Sequence, residues 1–380
     1  MPPIFVTTVS RSYIPLARVL MESVARHHPD SRRVVLLTDT DLDLDFAETL
    51  RPKDLIPDPQ ELLIQETMYK PIEFATALKA KLLLWGLEQA DEAFFLDPDM
   101  RVFRPMDTAI AALRSGTGTL LTPHRVTAPE FRDRVFYEWT FKAYGVYNTG
   151  FVAVGDAAKP FLEWWDSRLS RDCIDDLQGF EWVDQGMIDL APGYFDVDVF
   201  KDRGYNVGWW NLVERPLRKE GDRWFAGDDE LVLLHYSGVR PKAQGEIPLL
   251  AHSVKNRVVE DAGQVAALRE LEDAYTADLL AAGFADWAHL PYGLRQTAGG
   301  RTLTEPLRRA YRRAVLDAER RGETPPEPDA LSWNPASRLA YRVDLLQFPR
   351  ALLADVSANP RGRRVVNRLR RRSRSAGRSA

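Results

Sequence analysis

The stretch EAFFLDPDMRVF, residues 92–103, decides the fold. Its apolar run from Ala93 to Leu96 reads as a buried β-strand. The run stops at Asp97-Pro98-Asp99, and the chain returns to apolar character at Val102 and Phe103. Residues i and i+2 of a strand share a face, and a buried face does not tolerate two free carboxylates. The strand must therefore end here, in a turn. Pro98 assists, because it donates no ladder hydrogen bond and fixes φ. Ligands of open α/β sheets bind beyond the carboxyl ends of the strands, so Asp97 and Asp99 mark a candidate site. Two acids held close repel unless a cation lies between them. Hard oxygen ligands suit Mn²⁺ or Mg²⁺, which keep open positions for phosphate oxygens. The plain alternative is a solvated Asp-Pro-Asp turn.

Around this stretch the chain alternates strands and helices. PIFVTTVS (3–10) reads as the first strand, and YIPLARVLMESVARHH (13–28) as an amphipathic helix with Leu16, Val19, Leu20 and Val24 on one face. RRVVLLTD (32–39) is a second, continuously apolar strand of the kind buried on both faces. A strand–helix–strand start predicts a right-handed βαβ unit and a parallel sheet. FATALKAKLLLWGLEQA (74–90) reads as the helix before the 92–96 strand. TGTLLTP (117–123), NTGFVAV (148–154) and LVLLHYSG (231–238) read as strands, and PFLEWWDSRL (160–169) as a helix. Beyond residue 250 the composition turns to Ala, Leu, Arg and Glu. Segments 253–282, 303–321 and, more weakly, 335–357 read as helical, with PPEPD (325–329) as a linker. The expected fold class is α/β, with a mixed, mostly parallel sheet flanked by helices. The expected division is a catalytic domain over 1–250, a helical region over 251–345 and a basic, disordered tail over 346–380.

The totals narrow the function classes. The 380 residues are 45% hydrophobic and 28% charged, enough for one large α/β domain with an appendage. The formal net charge of −4 hides an asymmetry: residues 361–380 hold nine Arg and no acid, leaving a net −13 in 1–360. A nucleic-acid binder would carry its basic residues on the folded body, which here is acidic. The tail has no interleaved aromatics, so no nucleic-acid partner is expected. It suits an anionic membrane surface instead, at about 1 kcal/mol per Arg near the surface, or simply solvent. Cys173 is the only cysteine, which rules out an intrachain disulfide and fits a reducing compartment. The N-terminus lacks a signal-peptide pattern, and no apolar run approaches the ~20 residues of a membrane span. The expected location is the cytoplasm, peripheral to the inner face of the membrane if the tail binds there.

Other residues join the candidate site. His235 follows the buried run LVLL and precedes Ser-Gly. It is a candidate third metal ligand, and an imidazole favours Mn²⁺ over Mg²⁺; its ordinary alternative is a satisfied turn histidine. Arg240 and Lys242 follow closely and suit a diphosphate, or are solvated surface charge. Trp164, Trp165, Trp182, Trp209 and Trp210 supply aromatic faces that stack on sugars, although the default place of a Trp is the core. Trp182 and Trp209 or Trp210 are the ones expected near the site. Asn206 and Asn211 suit sugar hydroxyls or turn capping. His124, after another strand, suits donor or acceptor.

The ordered set VTTVS … AKLLLW … FFLDPDMRVF … NTGF … DQG … HYSG resembles the GT-A-fold, nucleotide-sugar-dependent glycosyltransferases of family 8, which include glycogenin and bacterial lipooligosaccharide galactosyltransferases. YNVGWWNLVER (205–215) is similar to a motif of bacterial polysaccharide-cluster glycosyltransferases. The resemblance covers about residues 3–245 and, more loosely, PYGLRQTAGG (291–300). It implies a metal-dependent glycosyltransferase that moves a sugar from a nucleotide sugar, a UDP-sugar above all, to a hydroxyl acceptor: a glycan, a lipid-linked glycan or a small molecule. By resemblance, Asp97, Asp99 and His235 hold the metal. Thr7 and Thr8 line the nucleoside, Lys81 contacts donor phosphate or sugar, and Asn148 lies near the donor sugar. Asp184 and Gln185 lie beside the anomeric carbon. VRPKAQG departs from the family's Lys-Pro-Trp, which leaves open which of Arg240 and Lys242 takes the diphosphate. Family 8 retains the anomeric configuration; an inverting enzyme would need a carboxylate base, for which Asp184 or Glu181 is available. Competing classes are a metal-dependent phosphohydrolase, which usually needs more clustered carboxylates, and a non-catalytic sugar-binding module, which does not explain the Asp/His set.

Overall fold

The computed structural model describes residues 1–130, 138–176, 181–238, 259 and 261–330. Among the described residues, fourteen short strands follow in chain order. They are β1 (Ile4–Val9), β2 (Arg32–Leu37), β3 (Glu48–Leu50), β4 (Glu92–Leu96), β5 (Met100–Val102), β6 (Thr119–Pro123), β7 (Tyr147–Gly155), β8 (Ile174–Asp176), β9 (Glu181–Val183), β10 (Asp198–Val199), β11 (Leu217–Glu220), β12 (Arg223–Ala226), β13 (Asp229–Glu230) and β14 (Leu233–His235). Seven of them form the central sheet, in the order β10-β6-β7-β4-β1-β2-β3. β1 pairs parallel to β2 and β4, β2 to β3, and β10 to β6. β7 pairs antiparallel to both β4 and β6, so it alone runs backwards. The expected α/β class with a mixed, mostly parallel sheet is therefore what the chain forms.

The reversal of β7 matters for the site. It brings the first residues of β7 to the edge where β1, β4 and β6 end. Asn148 and Thr149 thus meet Asp97, Thr8 and His124 at one carboxyl edge.

Both faces of the sheet are covered, which explains the unbroken apolar runs. Phe5, Phe94 and Phe151 pack on one face with Ala17, Leu20, Met21 and Val24 of helix Ile14–His27. On the other, helix Lys79–Gln89 lies against β1 and β4, and helix Lys159–Asp172 packs beside it. The helix expected over 74–90 is two: Pro71–Ala77, then Lys79–Gln89.

A second cluster joins Leu217, Ala226 and Leu234 to Leu268, Leu271, Tyr275 and Leu279 of helix Ala262–Ala281. Arg101 of β5 pairs with Asp278 of that helix at 2.8 Å, and the rings of Tyr236 and Tyr275 stack 3.9 Å apart. Met1–Arg308 forms one compact unit, so the boundary expected at residue 250 falls inside it. The second unit, Arg309–Ala380, is described as far as Ala330; it holds the remainder of helix Glu305–Arg320 and a 3-10 turn at Pro328–Ala330. The 335–357 helix and the Arg-rich tail lie outside the described residues, as do Arg240 and Lys242. Among the described residues no helix is long and apolar enough to cross a membrane.

Candidate active site

After β4 the chain turns sharply. Asp97 N donates to Gly150 O on β7 (2.8 Å), and Met100 N donates back to Asp97 O (3.1 Å). The turn delivers β5, which pairs antiparallel with β14 and sets Met100 opposite His235. Tyr236 N donates to Asp99 O at 2.8 Å, locking the two segments in register. These backbone bonds bring three side chains together: Asp97, Asp99 and His235 offer ligand atoms all within 4.8 Å of one another. His235 Nε2 lies 3.2 Å from Asp99 Oδ1 and 3.9 Å from Asp97 Oδ2. The sequence placed these residues 138 positions apart or less, and the sheet edge closes the gap.

Gly150 is where this convergence dictates a residue type. A Cβ there would meet His235 Cε1 at 2.6 Å, Asn148 Oδ1 at 2.8 Å and Met100 Cε at 2.8 Å. Only hydrogen leaves room for the imidazole. The Asn-Thr-Gly motif therefore has a steric cause.

A buried lysine completes the cluster. Lys79, 1% exposed, sits with its Nζ 3.0 Å from Asp184 Oδ2 and 3.2 Å from Asp97 Oδ1. Its Nζ also donates to Thr149 O (3.1 Å) and Oγ1 (3.4 Å). Burial opposes the ammonium's charge, but Asp184 and then Asp97 outweigh it and keep the lysine protonated. Burial in turn pushes the Asp184 carboxyl up, against the pull of Lys79. At Asp99 burial works upward too, yet the facing His235 ring and neighbouring backbone groups hold it below the ordinary range.

Two carboxylates, Asp97 and Asp184, face the ammonium, and a third, Asp99, faces His235. The formal charge of Asp97, Asp99, Asp184 and Lys79 together is −2. Uncompensated charge in a half-buried site is costly, and a divalent cation balances this set. The donors are two hard carboxylates and an imidazole, which suit Mn²⁺ and accept Mg²⁺. The residues fit the metal implied by their resemblance.

The family resemblance puts Lys81 against donor phosphate or sugar, but in the structure Lys81 points away from the Asp97–Asp99–His235 cluster. Lys81 lies two residues after Lys79, roughly 200° around the helix, and its Nζ pairs with Asp166 at 2.6 Å. The missed lysine had a signal. Lys79 falls on the apolar stripe of its helix, in line with Leu82, Leu83 and Gly86. A lysine in that stripe is buried unless the helix is misread.

The other predicted residues divide clearly. Asp184 and Gln185 sit at the start of helix Gln185–Ile188, but Asp184 makes no side-chain cap there. Gln185 Oε1 accepts from Thr149 N (3.2 Å), and its Nε2 donates to Tyr144 O (2.7 Å). Its amide thus ties the Asp184 loop to the start of β7. Thr7 and Thr8 lie near the end of β1, buried, with hydroxyls that find no hydrogen-bond partner among the described residues.

Trp182 is half-buried and edge-on to Tyr144 (5.3 Å), and Trp209 is half-buried beside Trp210. Trp210 is not an open platform. It is 4% exposed and packs edge-on against both His124 (5.5 Å) and His235 (5.1 Å). Trp165 is core. Asn206, expected to meet sugar hydroxyls, is 2% exposed and faces inward, because its amide is used up by Thr122, Asn148 and His235. Asn211 likewise bonds Gly208 N and Asn206 O. His124 Nδ1 meets Val146 O at 3.2 Å; burial pushes this histidine down to about 4, so it is neutral.

An α/β sheet with an Asp-Asp-His cluster and a buried Lys-Asp pair at its carboxyl edge defines the class of site. No protein-family profile matches the chain. The Bacillus subtilis (strain 168) protein YfnF, uncharacterized, is 24% identical over 259 residues, spanning 64% of this chain and 84% of YfnF. Solved structures with a similar chain path include the galactosyltransferase LgtC in complex with donor and acceptor sugar analogues. It is 17% identical, covering 67% of this chain and 94% of that one, with TM-score 0.41. They also include the Streptococcus pneumoniae TIGR4 glycosyltransferase GlyE, with 16% identity, 78% and 66% coverage and TM-score 0.38. Mouse xyloside xylosyltransferase 1, in its apo form, shows 15% identity, 61% and 96% coverage and TM-score 0.36.

Proposed function

We propose that this protein is a metal-dependent, GT-A-type glycosyltransferase that moves a sugar from a nucleotide sugar to a hydroxyl acceptor. The observation that carries the reading is the convergence of Asp97, Asp99 and His235 within 4.8 Å, beside the Lys79–Asp184 ion pair. Bound there, Mn²⁺ or Mg²⁺ would neutralise charge on the leaving diphosphate. Asp97 faces both groups: one carboxylate oxygen meets Lys79 (3.2 Å), and the other faces His235 (3.9 Å). It thereby couples the cation position to the pair expected beside the donor sugar. The unpartnered Thr7 and Thr8 hydroxyls suit the nucleoside of a UDP-sugar, and Asn148 the donor sugar. Arg240 or Lys242 would meet the diphosphate. Half-buried Trp182 and Trp209 suit the acceptor.

Asp184 is 1% exposed and engaged by Lys79. That leaves it a group that orients and balances charge rather than a base open to a water or hydroxyl, and removes one of the two carboxylates an inverting reaction could use. Gln185 acts through the loop it braces. The acceptor class is a glycan, a lipid-linked glycan or a small molecule with a free hydroxyl, and the setting is the cytoplasm, at the inner membrane face if the tail binds there.

The decisive experiment combines a thermal-shift screen of nucleotide sugars, with and without Mn²⁺, with transfer assays of Asp184→Asn and Gln185→Ala. Both variants should fold and bind nucleoside diphosphate with Mn²⁺ while kcat falls by about an order of magnitude or more. Wild-type transfer rates in both would move the reaction centre elsewhere. If no nucleotide sugar raises the melting temperature with Mn²⁺, the whole reading fails.

A further inference from the structure

One chain of hydrogen bonds runs from a backbone carbonyl to Nδ1 of the candidate metal-ligand ring, His235. Val146 O accepts from His124 Nδ1 (3.2 Å), and His124 Nε2 accepts from Asn148 Nδ2 (3.3 Å). Asn148 Oδ1 accepts from Gly150 N (3.0 Å) and from Asn206 Nδ2 (3.0 Å). Asn206 Oδ1 faces His235 Nδ1 at 3.1 Å. Each amide orientation is set independently. A backbone N–H fixes Asn148 Oδ1, and a backbone acceptor, Asn148 O at 3.2 Å, fixes Asn206 Nδ2. Asn206 therefore has only its oxygen left for His235, and an oxygen demands a proton on Nδ1.

We propose that Asn206 is the positioning residue that fixes His235 as the Nδ1–H tautomer, turning its Nε2 lone pair onto the Asp97–Asp99 cation position. The proposal deepens the metal-dependent reading and rests on it for its consequence, though not for the tautomer itself. Asn206 touches neither substrate nor metal; it acts through His235. A ligand histidine whose second nitrogen is held this way is oriented and made more basic, and loss of such a partner typically weakens metal binding by about 10–100-fold. The backbone supports the assignment. Asn206 sits at φ 49°, a left-handed conformation that asparagine tolerates better than other side-chain-bearing residues. The chain adopts it while keeping the carboxamide 2% exposed and fully engaged. His124, held neutral at the far end, has an acceptor Nε2 to offer Asn148, so the direction of the chain is consistent at both ends.

The test is long-range ¹⁵N–¹H NMR of histidine-labelled, metal-free full-length protein, at a pH where the His235 ring is neutral. Mn²⁺ titration followed by electron paramagnetic resonance goes with it. The variant is Asn206→Gly, which keeps the left-handed backbone and deletes the amide. Wild type should show Nδ1–H on His235. Asn206→Gly should lose that single tautomer and bind Mn²⁺ about 10–100-fold more weakly. An Nε2–H ring in wild type overturns the proposal, and this spectrum alone decides it if the variant fails to fold. Unchanged tautomer and Mn²⁺ affinity in a folded Asn206→Gly also overturn it. If wild type binds no Mn²⁺, the metal reading falls, while the spectra still decide whether Asn206 sets the ring.

Discussion

Lys79→Met is the sharpest test of how the site is built. Methionine is unbranched, close in length to lysine and tolerant of irregular packing, so the helix and the volume are kept. What disappears is one charge. In the wild-type chain Lys79 Nζ lies 3.0 Å from Asp184 and 3.2 Å from Asp97, with Asp184 1% exposed. Removing one partner of a buried pair leaves the other uncompensated and costs about 3–5 kcal/mol. The contact of the ammonium with the Phe95 ring, 4.6 Å to its centroid, is lost as well. Urea unfolding in the presence of a chelator should therefore lower the midpoint by about 1 M or more, at a slope of about 3 kcal/mol/M. Adding Asp184→Asn removes the orphaned charge, so the double variant should recover part of the loss, with a coupling of about 2 kcal/mol or more. Strict additivity, or a Lys79→Met midpoint within 0.3 M (about 1 kcal/mol) of wild type, would refute the claim that Lys79 is held by these carboxylates.

Three further outcomes are expected. Gly150→Ala should leave the sheet folded but push His235 off the cluster, since the new methyl meets His235 Cε1 at 2.6 Å; Mn²⁺ affinity should drop in a binding titration, whereas unchanged affinity would contradict the packing. Burial lifts the Glu66 carboxyl from 4.5 to about 7, so between those values the unfolded chain is ionised while the folded one keeps its proton. Stability should accordingly fall as pH rises from about 4.5 to 7, and Glu66→Gln should flatten that slope in urea melts taken across the range. Deleting 361–380 should leave donor hydrolysis intact and abolish salt-sensitive binding to anionic liposomes, given nine Arg and no acid in that segment; liposome binding that ignores salt, or survives the deletion, would reject a membrane role.

Local pattern determined much of this protein. Apolar runs located β1, β2, β4, β6 and β7 to within a few residues, because a strand buried on both faces writes its burial directly into composition. Asp97-Pro98-Asp99 announced a strand end, and His235 a second one, because carboxylates and an imidazole do not sit inside a buried ladder without a reason. Family resemblance supplied the pairing of these two ends. Other features were decided only by tertiary structure. The direction of β7 cannot be read from nine buried residues, since parallel and antiparallel neighbours bury them equally; yet its reversal is what brings Asn148 and Gly150 to the site. Lys79 and Lys81 lie on opposite faces of one helix; the apolar stripe marks Lys79 as the buried one, but only the docked helix shows that its partners are Asp184 and Asp97. Asn206 carries a polar side chain in a polar-looking motif, and nothing local shows that Thr122, Asn148 and His235 consume its amide from three separate segments. Composition records how much each residue is buried, while the partners of a buried polar group are set by contacts far apart in the chain.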